Sequence, residues 1–321
     1  MINAFINFVT EQFAALHGHV FETGVLPIVH ALGLGGYAEQ AFDGTEVFLI
    51  GAIEITLLAA VLGAVEKLRP VEAQIDDAAT SAKKIDVIYT MLHRLGFVPL
   101  LLFLLLVPIV DAIDGSLRMH DIIPFKLEDG LPFLNDSPWL SFFFYLVILD
   151  FVAYWLHRGQ HQFNPWWALH SLHHSQRQMS FWSDDRNHLL DDFIVDGAFA
   201  MVALLIGVAP AQFVTIVIAT RVVESLSHAN LKLSFGRIGE YLLVSPRFHR
   251  VHHGIGVGHE GAARGCNFAV LFPLWDVIFR TANFENSYPS TGVRDQLDGA
   301  EYGRGFWAQQ WLGLQRLAQS F

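Results

Sequence analysis

The chain contains three long runs of apolar residues, at positions 48–65, 95–113 and 139–156. Each run approaches the roughly 20 residues that an α-helix needs to cross the hydrocarbon core of a bilayer. The pattern therefore predicts an integral membrane protein with at least three membrane-spanning helices.

A fourth apolar region covers residues 193–226 and is broken by Pro210. Because proline ends or kinks a helix, the region divides into halves of about 17 residues, each slightly short of a full span. This predicts a helical hairpin that crosses or re-enters the membrane. The predicted fold is an all-α integral membrane protein with about four transmembrane helices, including this hairpin, and a cytosolic histidine-rich helical cap.

The two ends of the chain differ from this membrane core. Residues 1–19 lack the basic start and small-residue cleavage site of a secretory signal, which favours an interfacial helix retained in the mature chain. Residues 305–321 carry aromatic and leucine residues at helical spacing, which predicts either a surface-lying amphipathic helix or a packed terminal helix. We predict an N-terminal interfacial segment (1–45), a membrane-embedded domain (46–283) and a C-terminal amphipathic tail (284–321).

Composition restricts the chemistry. Hydrophobic residues make up 53% of the 321 residues and charged residues only 16%, against about 25% charged residues in soluble proteins. The net charge is −11, and no basic stripe with interleaved aromatic residues indicates nucleic-acid binding. Cys266 is the only cysteine, which excludes an intrachain disulfide, a cysteine-based zinc site and a self-contained iron–sulfur cluster. Any bound metal must use nitrogen and oxygen ligands.

Lysine and arginine are unevenly distributed around the predicted spans. Residues 1–45 contain neither, whereas the stretch after the first span contains Lys67, Arg69, Lys83, Lys84 and Arg94. Because basic residues accumulate on the cytoplasmic side, we expect the N-terminus outside and residues 157–192 and 228–321 in the cytoplasm. The expected location is a bacterial inner membrane or an ER-type membrane.

Eight histidines fall into three groups with helical spacing. HRGQH places two at i and i+4, while LHSLHHS and FHRVHHG each place three at i, i+3 and i+4: His157, His161, His170, His173, His174, His249, His252 and His253. Because these positions share one helix face, the rings of each group can point the same way. One tetrahedral zinc ion takes four ligands, so eight imidazoles indicate two metals, and imidazole suits iron, copper, nickel or zinc.

Isolated histidines have a different interpretation. His17, His19, His30, His93 and His120 are expected to be packing or surface residues. Imidazoles packed together would repel one another when protonated and lack partners when neutral, unless a metal or hydrogen-bond partner used them. The grouped spacing therefore favours metal binding over structural coincidence.

Residues 140–283 resemble the fatty acid hydroxylase and sterol desaturase superfamily of integral membrane di-iron enzymes. LDFVAYWLHRGQHQ resembles the family's Asp-x-x-x-Tyr-x-x-His-Arg-x-x-x-His box, and LHSLHHS and LVSPRFHRVHHG resemble its second and third boxes. SHANL resembles a further His-Ser/Ala-Asn element, which implies a ninth ligand at His228. The run NFAVLFPLWDVIFRTANF resembles the family's Asn-Tyr/Phe-Gly, Trp-Asp and Phe-Gly-Thr elements, with Ala269 and Arg280 where the family often has glycine.

The resemblance implies an oxidoreductase: a non-haem di-iron monooxygenase or desaturase that acts on a C–H bond of a sterol, acyl chain or related lipid. It implies two iron ions bound within residues 46–283, with O2 as co-substrate. No dinucleotide-binding loop or fused haem domain is apparent, which indicates a separate electron donor, a ferredoxin or cytochrome b5-like protein with its reductase. Hydroxylation, desaturation and the identity of the lipid stay open.

Five further residues are expected to support the site or its substrate: Asp150, His188, His259, Asn267 and Asp276. Asp150 lies seven residues before His157 on nearly the same helix face, which predicts either a hydrogen bond to a ligand imidazole or a helix-packing contact. Asp276 is expected to brace the third box. Glu54 is expected to be structural or to line the outer wall of a substrate cavity.

His188 lies in SDDRNHLLDD, flanked by aspartates on both sides. The family often has Arg-x-His-Pro here, and this chain matches it through Arg186 but has Leu189 in place of the proline. We therefore expect a supporting or substrate-side role for His188 and direct metal binding only for His228.

A histidine-rich membrane metal transporter or metal-binding protein is the alternative function. A transporter would place its ligands near mid-membrane, often within inverted repeats, whereas these boxes fall at predicted helix ends and no internal repeat is found. An inactive scaffold of the same fold is a third possibility, although all three boxes are intact.

Overall fold

The computed structural model describes residues 2–72 and 77–321. Apart from an isolated bridge between Gly254 and Thr291, these residues contain no β structure, which confirms the all-α class. The helices are α1 (Ile2–Val20), α2 (Leu26–Ala31), α3 (Ala38–Leu68), α4 (Asp77–Arg94), α5 (Phe97–Met119), α6 (Leu127–Gly130), α7 (Pro138–Gln162), α8 (Asn164–His174), α9 (Leu189–Leu205), α10 (Pro210–His228), α11 (Gly236–Leu242), α12 (Pro246–His252), α13 (Leu274–Ile278) and α14 (Phe306–Gln319).

Three helical segments in the described part of the chain are long and apolar enough to cross a membrane. They are Gly35–Leu68, Phe97–Met119 and Pro138–Gln162, which contain the first and third predicted apolar runs in full and the second run from residue 97 onwards. The prediction of an integral membrane protein is therefore supported, and the spans exceed the predicted runs because polar helix ends extend beyond the apolar cores.

The predicted hairpin is present as α9 and α10. Pro210 is the first residue of α10, where its missing N–H group costs no helical hydrogen bond. Gly207 adopts a φ of 67° in the turn between the two helices, a conformation that glycine tolerates best. Neither helix is among the three segments that could span a membrane by length and composition, so the predicted count of four is approximate.

Two compact units make up the chain. The first comprises Met1–Leu57 and Met91–Leu101, and the second comprises Leu58–Thr90 and Leu102–Phe321. In the first unit, Glu54 and Arg94 form a buried ion pair at 2.5 Å. Gly51 is required beside this pair, because a Cβ atom there would lie 1.7 Å from the Arg94 carbonyl oxygen. The ion pair with Arg94 agrees with the structural role that was one of the two expectations for Glu54. The division of the chain into three domains stays a prediction.

The second unit contains every residue of the predicted site. Within it, α8 packs against α7 and α14, and α10 packs against α12. A buried apolar cluster of Tyr145, Leu149 and Ile216 joins α7 to α10. These contacts bring the ends of α7 and α10 together with the two short histidine-bearing helices, α8 and α12.

The C-terminal helix α14 is a packed terminal helix with one open face. Gln309, Gln310 and Gly313 are buried, whereas Trp307 and Trp311 are 76% and 61% exposed. Of the two predictions for this segment, a packed terminal helix is therefore correct for its inner face. The exposed tryptophans are compatible with a membrane-surface position, which stays a prediction.

Candidate metal centre

Five buried imidazoles form one group, the five-histidine group: His157 and His161 from α7, His170 and His174 from α8, and His252 from α12. One ring nitrogen from each lies within 4.8 Å of the corresponding atoms of the others. His157 and His161 belong to the last turns of a membrane-spanning helix, so the group lies at the end of that span.

Four more imidazoles form the four-histidine group: His173 from α8, His228 from the end of α10, His249 from α12 and His253 directly after it. The Nε2 atom of His228 lies 3.1 Å from Nε2 of His173 and 3.0 Å from Nε2 of His249. Nε2 of His249 lies 3.1 Å from Nε2 of His253. Together the two groups contain all nine histidines predicted as ligands.

Each His-x-x-His-His box contributes to both groups, although the sequence suggested that its three rings point the same way. The i and i+4 rings stay together, as in His170 and His174, while the i+3 ring of that box, His173, belongs to the other group. Side chains advance by about 100° per residue in an α-helix, so positions i+3 and i+4 diverge by that angle. Two groups rather than one therefore lie between the helices.

The donor atoms of these rings fit a metal cation. His252 donates from Nδ1 to a backbone carbonyl, which leaves a lone pair on its Nε2 atom, 3.1 Å from Nε2 of His174. Buried ring nitrogens without a hydrogen-bond partner among the described residues include Nε2 of His157 and His170, both nitrogens of His161, and Nδ1 of His173 and His253. Unpaired buried polar atoms are costly unless something binds them, and a nitrogen-rich set suits iron, copper, nickel or zinc.

Five of the rings outside the membrane-spanning segments are also held in the neutral, metal-binding form. Burial, followed by repulsion from neighbouring rings, places the pKa of His173, His174, His249 and His253 well below its usual value. Burial lowers the pKa of His252 to about 3. Neutral imidazole is the form that binds metals, so the site does not need to lose protons at neutral pH.

Backbone carbonyls after the third box orient two rings of the five-histidine group. Nδ1 of His157 donates to the Phe268 carbonyl at 2.8 Å, and Nδ1 of His252 donates to the Cys266 carbonyl at 2.7 Å. Asn267 lies between these two acceptors and donates to the Phe248 carbonyl of α12 at 2.9 Å. Asn267 therefore ties the carbonyl-bearing loop to the helix that carries the third box.

Asp276 braces the same loop. Its carboxylate accepts hydrogen bonds from the backbone N–H groups of Phe268 and Ala269 and from the Thr281 hydroxyl, at 2.9, 2.8 and 2.6 Å. Burial raises the pKa of Asp276 to about 6, while these donors oppose that shift. Since Phe268 in turn holds His157, Asp276 supports the first box as well as the loop that follows the third.

Asp150 does not contact a ligand imidazole, contrary to one of its two predicted roles. Its carboxylate accepts from the backbone N–H groups of Leu271 and Phe272 and from Nε1 of Trp275, at 2.9, 3.1 and 2.9 Å. Seven residues separate Asp150 from His157, a rise of about 10 Å along the helix, which a short aspartate side chain does not bridge. Asp150 instead attaches α7 to the segment that leads into α13.

His188 and His259 lie outside both groups. Nε2 of His188 donates to the Gln310 carbonyl at 2.8 Å, and its Nδ1 accepts from the Leu190 N–H group, so both nitrogens are engaged by protein. His259 is half-buried and stacks on Trp167 with ring centroids 3.6 Å apart. Its ring centroid is 5.6 Å from that of His161, at the margin of the five-histidine group.

The sequence analysis did not identify Asp191 as a site residue. It mentioned the aspartates near His188 only as neighbours of that histidine. Its buried carboxylate accepts from Nδ1 of His170 at 3.2 Å. The only sequence signal for Asp191 is its position as an acid in the first turn of an apolar helix. Acids are common there because they interact favourably with the helix dipole, so the signal does not indicate a metal site.

The fold and the site define an integral membrane protein with two buried imidazole groups, each able to hold a metal ion. Residues 142–281 match the family described as fatty acid hydroxylase. This match supports the predicted resemblance of this part of the chain to the fatty acid hydroxylase superfamily.

Curated relatives with similar sequences are named as lipid-modifying enzymes. Alkylglycerol monooxygenase of Homo sapiens is 30% identical over 169 residues, which are 52% of this chain and 36% of the human protein. The Danio rerio protein of the same name is 28% identical over 196 residues, which are 60% of this chain and 41% of that protein. Ornithine lipid hydroxylase of Rhizobium tropici is 29% identical over 164 residues, covering 51% of this chain and 47% of the relative.

The matched region thus covers less than half of each of these relatives. No solved structure is significantly similar to the chain. The relatives' names are consistent with the predicted oxidoreductase class.

Proposed function

We propose that this protein is an O2-dependent lipid hydroxylase of the membrane, with two iron ions held by the five-histidine and four-histidine groups. The observation that carries the proposal is the convergence of nine buried imidazoles into two groups. Within each group, one ring nitrogen of every histidine lies within 4.8 Å of those of the others. Two separate groups call for two metals, because nine ligands exceed the number that one ion takes.

We propose iron because the family resemblance implies it and because iron is redox-active. Bound iron would supply the one-electron and O2 chemistry needed to break an unactivated C–H bond, which amino-acid side chains cannot provide. The chain's own residues bind and orient the metal, and they exclude water from it. None of the nine rings is more than 8% exposed, so bulk water has little access to the site.

The position of the site suits a substrate that comes from the bilayer. His157 and His161 are in the last turns of the spanning segment Pro138–Gln162. A lipid that moves along this helix would present its chain to the five-histidine group without crossing bulk water. This position supports a lipid substrate and a reaction at the membrane surface.

The relatives favour hydroxylation over desaturation, and they favour a polar lipid over a sterol. They are named for activity on alkylglycerols and ornithine lipids, which share an alkyl or acyl chain attached to a polar headgroup. We propose a substrate of this class and an alcohol as the product.

We further propose that the electrons come from a separate carrier, a ferredoxin or a cytochrome b5-like protein with its reductase. The carrier would dock on the cytoplasmic face, because the distribution of lysine and arginine favours a cytoplasmic position for the histidine boxes. The N-terminus lies outside in this arrangement. Cysteine labelling that finds position 120 in the cytoplasm would contradict it.

Metal analysis combined with lipid oxidation tests the proposed function. Purified protein should contain about two irons per chain and convert a polar lipid to its hydroxylated product when O2 and a one-electron carrier are supplied. Lipid analysis of a deletion strain would identify the substrate. Loosely bound, exchangeable zinc with no O2-dependent product would favour the metal-transport alternative instead.

A further inference from the structure

Asp191, in the first turn of α9, connects three helices through one buried carboxylate. Gln160 of α7 donates to its two oxygens at 2.9 and 3.0 Å, and Trp166 of α8 donates from Nε1 at 2.7 Å. Nδ1 of His170 donates at 3.2 Å. Asp191 is only 2% exposed, so these three donors replace the water that it would otherwise bind.

Among the described residues, the Asp191 carboxylate forms no ion pair with a lysine or arginine. Its ion-pair contact is instead with His170. A buried carboxylate is costly unless it is paired with positive charge as well as hydrogen-bonded. A cation bound by the five-histidine group, to which His170 belongs, would supply that charge.

Asp191 differs from the other acceptors that hold cluster rings. His157, His252 and His228 donate to the backbone carbonyls of Phe268, Cys266 and Glu224. A carboxylate is a stronger acceptor than a neutral carbonyl because its bond is assisted by charge. A ring held by a carboxylate is also a more basic ligand, since negative charge is shifted towards its free nitrogen.

The surroundings hold Asp191 in place. His188 caps α9 by accepting from the Leu190 N–H group, and Gln310 of α14 accepts from the Leu189 N–H group at 2.8 Å. Gly313 lets α14 approach, because a Cβ atom there would lie 2.4 Å from the His188 ring. The first turn of α9 is thereby fixed from two sides, and the carboxylate with it.

We infer that Asp191 is a positioning residue for the five-histidine group: it fixes His170 with Nε2 towards the other rings and strengthens metal binding there. The inference rests on the proposed metal centre. Nε2 of His170 has no hydrogen-bond partner among the described residues, as expected for an atom left available to a metal.

Metal titration of matched variants tests this role independently of activity. Protein freed of metal is titrated with Co²⁺, and its two binding constants and visible spectrum are measured for wild type, Asp191→Asn and Asp192→Asn. Asp191→Asn keeps the side-chain shape but removes the charge, so one binding constant should weaken by about 10- to 100-fold with a changed spectrum. The second constant, and both constants of Asp192→Asn, should match wild type.

A loss of stability alone would not produce this pattern. Trp166→Phe removes one donor to Asp191 without touching His170. This variant should lower the melting temperature while both Co²⁺ constants stay close to wild type. Equal weakening of metal binding in Trp166→Phe and Asp191→Asn would assign Asp191 a structural role only.

The outcomes separate the inference from the proposed function. If wild type binds no Co²⁺ at either group, the metal centre itself is wrong. If wild type binds two ions and Asp191→Asn binds them equally well, only the role of Asp191 is wrong. Should Asp191→Asn not fold, Asp191→Ser, which also removes the carboxylate, is titrated instead, and full wild-type affinity with an undisturbed spectrum there would leave only a structural role.

Discussion

The five-histidine and four-histidine groups consist of the same side chain but are held in different ways. In the five-histidine group, His157, His170 and His252 each donate from Nδ1 to a protein acceptor. In the four-histidine group, His228 donates to the Glu224 carbonyl, whereas Nδ1 of His173 and of His253 has no partner among the described residues. A held Nδ1 fixes both the tautomer and the ring orientation.

The two histidine groups therefore differ in the anchoring of their rings as well as in the number of ligands that they offer. The five-histidine group is organised in the absence of metal, because three of its five rings are attached to a braced loop or to Asp191. The four-histidine group has fewer such attachments and must order its rings when metal arrives. We therefore expect tighter and more selective binding in the five-histidine group.

The largest effect should follow removal of one ring from each group. His161→Ala and His228→Ala should each lose one metal selectively. Activity should fall by more than about 100-fold, which is the upper end of the typical loss when a hydrogen-bond partner of a metal ligand is removed. Metal analysis and turnover with a one-electron donor check this. His120→Ala is the control, since His120 lies outside both groups. Retention of two full equivalents of metal by either variant would show that the two groups do not each hold one metal.

Removal of the loop brace should affect mainly the five-histidine group. Asp276→Ala leaves the N–H groups of Phe268 and Ala269 without their acceptor, at a cost of about 2 kcal/mol or more in unfolding free energy. The loop carbonyls that hold His157 and His252 should then shift. Thermal melting and Co²⁺ titration measure the two effects, and weakening confined to the four-histidine group would contradict this prediction.

The two groups should also differ in the order in which they release metal. During titration of the two-metal protein with a chelator, the four-histidine group should empty first, at an affinity about 10-fold or more below that of the other group. Chelator titration of wild type, His161→Ala and His228→Ala assigns each release step. A single step with both metals leaving together would mean that the two groups bind as one unit.

The smallest expected effect is that of His188→Ala. The variant loses the helix cap of α9 and the bond to the Gln310 carbonyl, so stability should fall by about 1 kcal/mol while both metals remain. Activity should also fall, because the start of α9 carries Asp191. Thermal melting with metal analysis checks this, and an experimental structure with a His188 nitrogen about 2.0–2.1 Å from a metal would reverse the assignment.

Much of the fold could be predicted because its patterns are local. The three spans and the hairpin broken at Pro210 follow from apolar runs and from the geometry of proline. The histidine boxes could be read in the same way, since their spacing is a property of one helix. The ligand roles of the nine histidines remain a proposal, although the structure brings all nine into two groups.

The missed contacts are those that join distant parts of the chain. Asp150 bonds to residues more than 120 positions away, and Asp191 reaches His170 across 21 positions. A carboxylate within an apolar helix indicates only that some partner exists. The partner depends on which helices pack together, and spacing along one helix does not contain that information.

The sequence alone determined that this is a helical membrane protein whose histidines are presented in sets at helical spacing, because hydrophobic runs and an advance of about 100° per residue are local properties. Only the tertiary structure decided how these rings are shared. His174 lies in the five-histidine group and His173 in the four-histidine group, although they are neighbours in sequence. Adjacent residues face different directions, and the packing of α7, α10 and α12 around α8 determines which rings each direction meets.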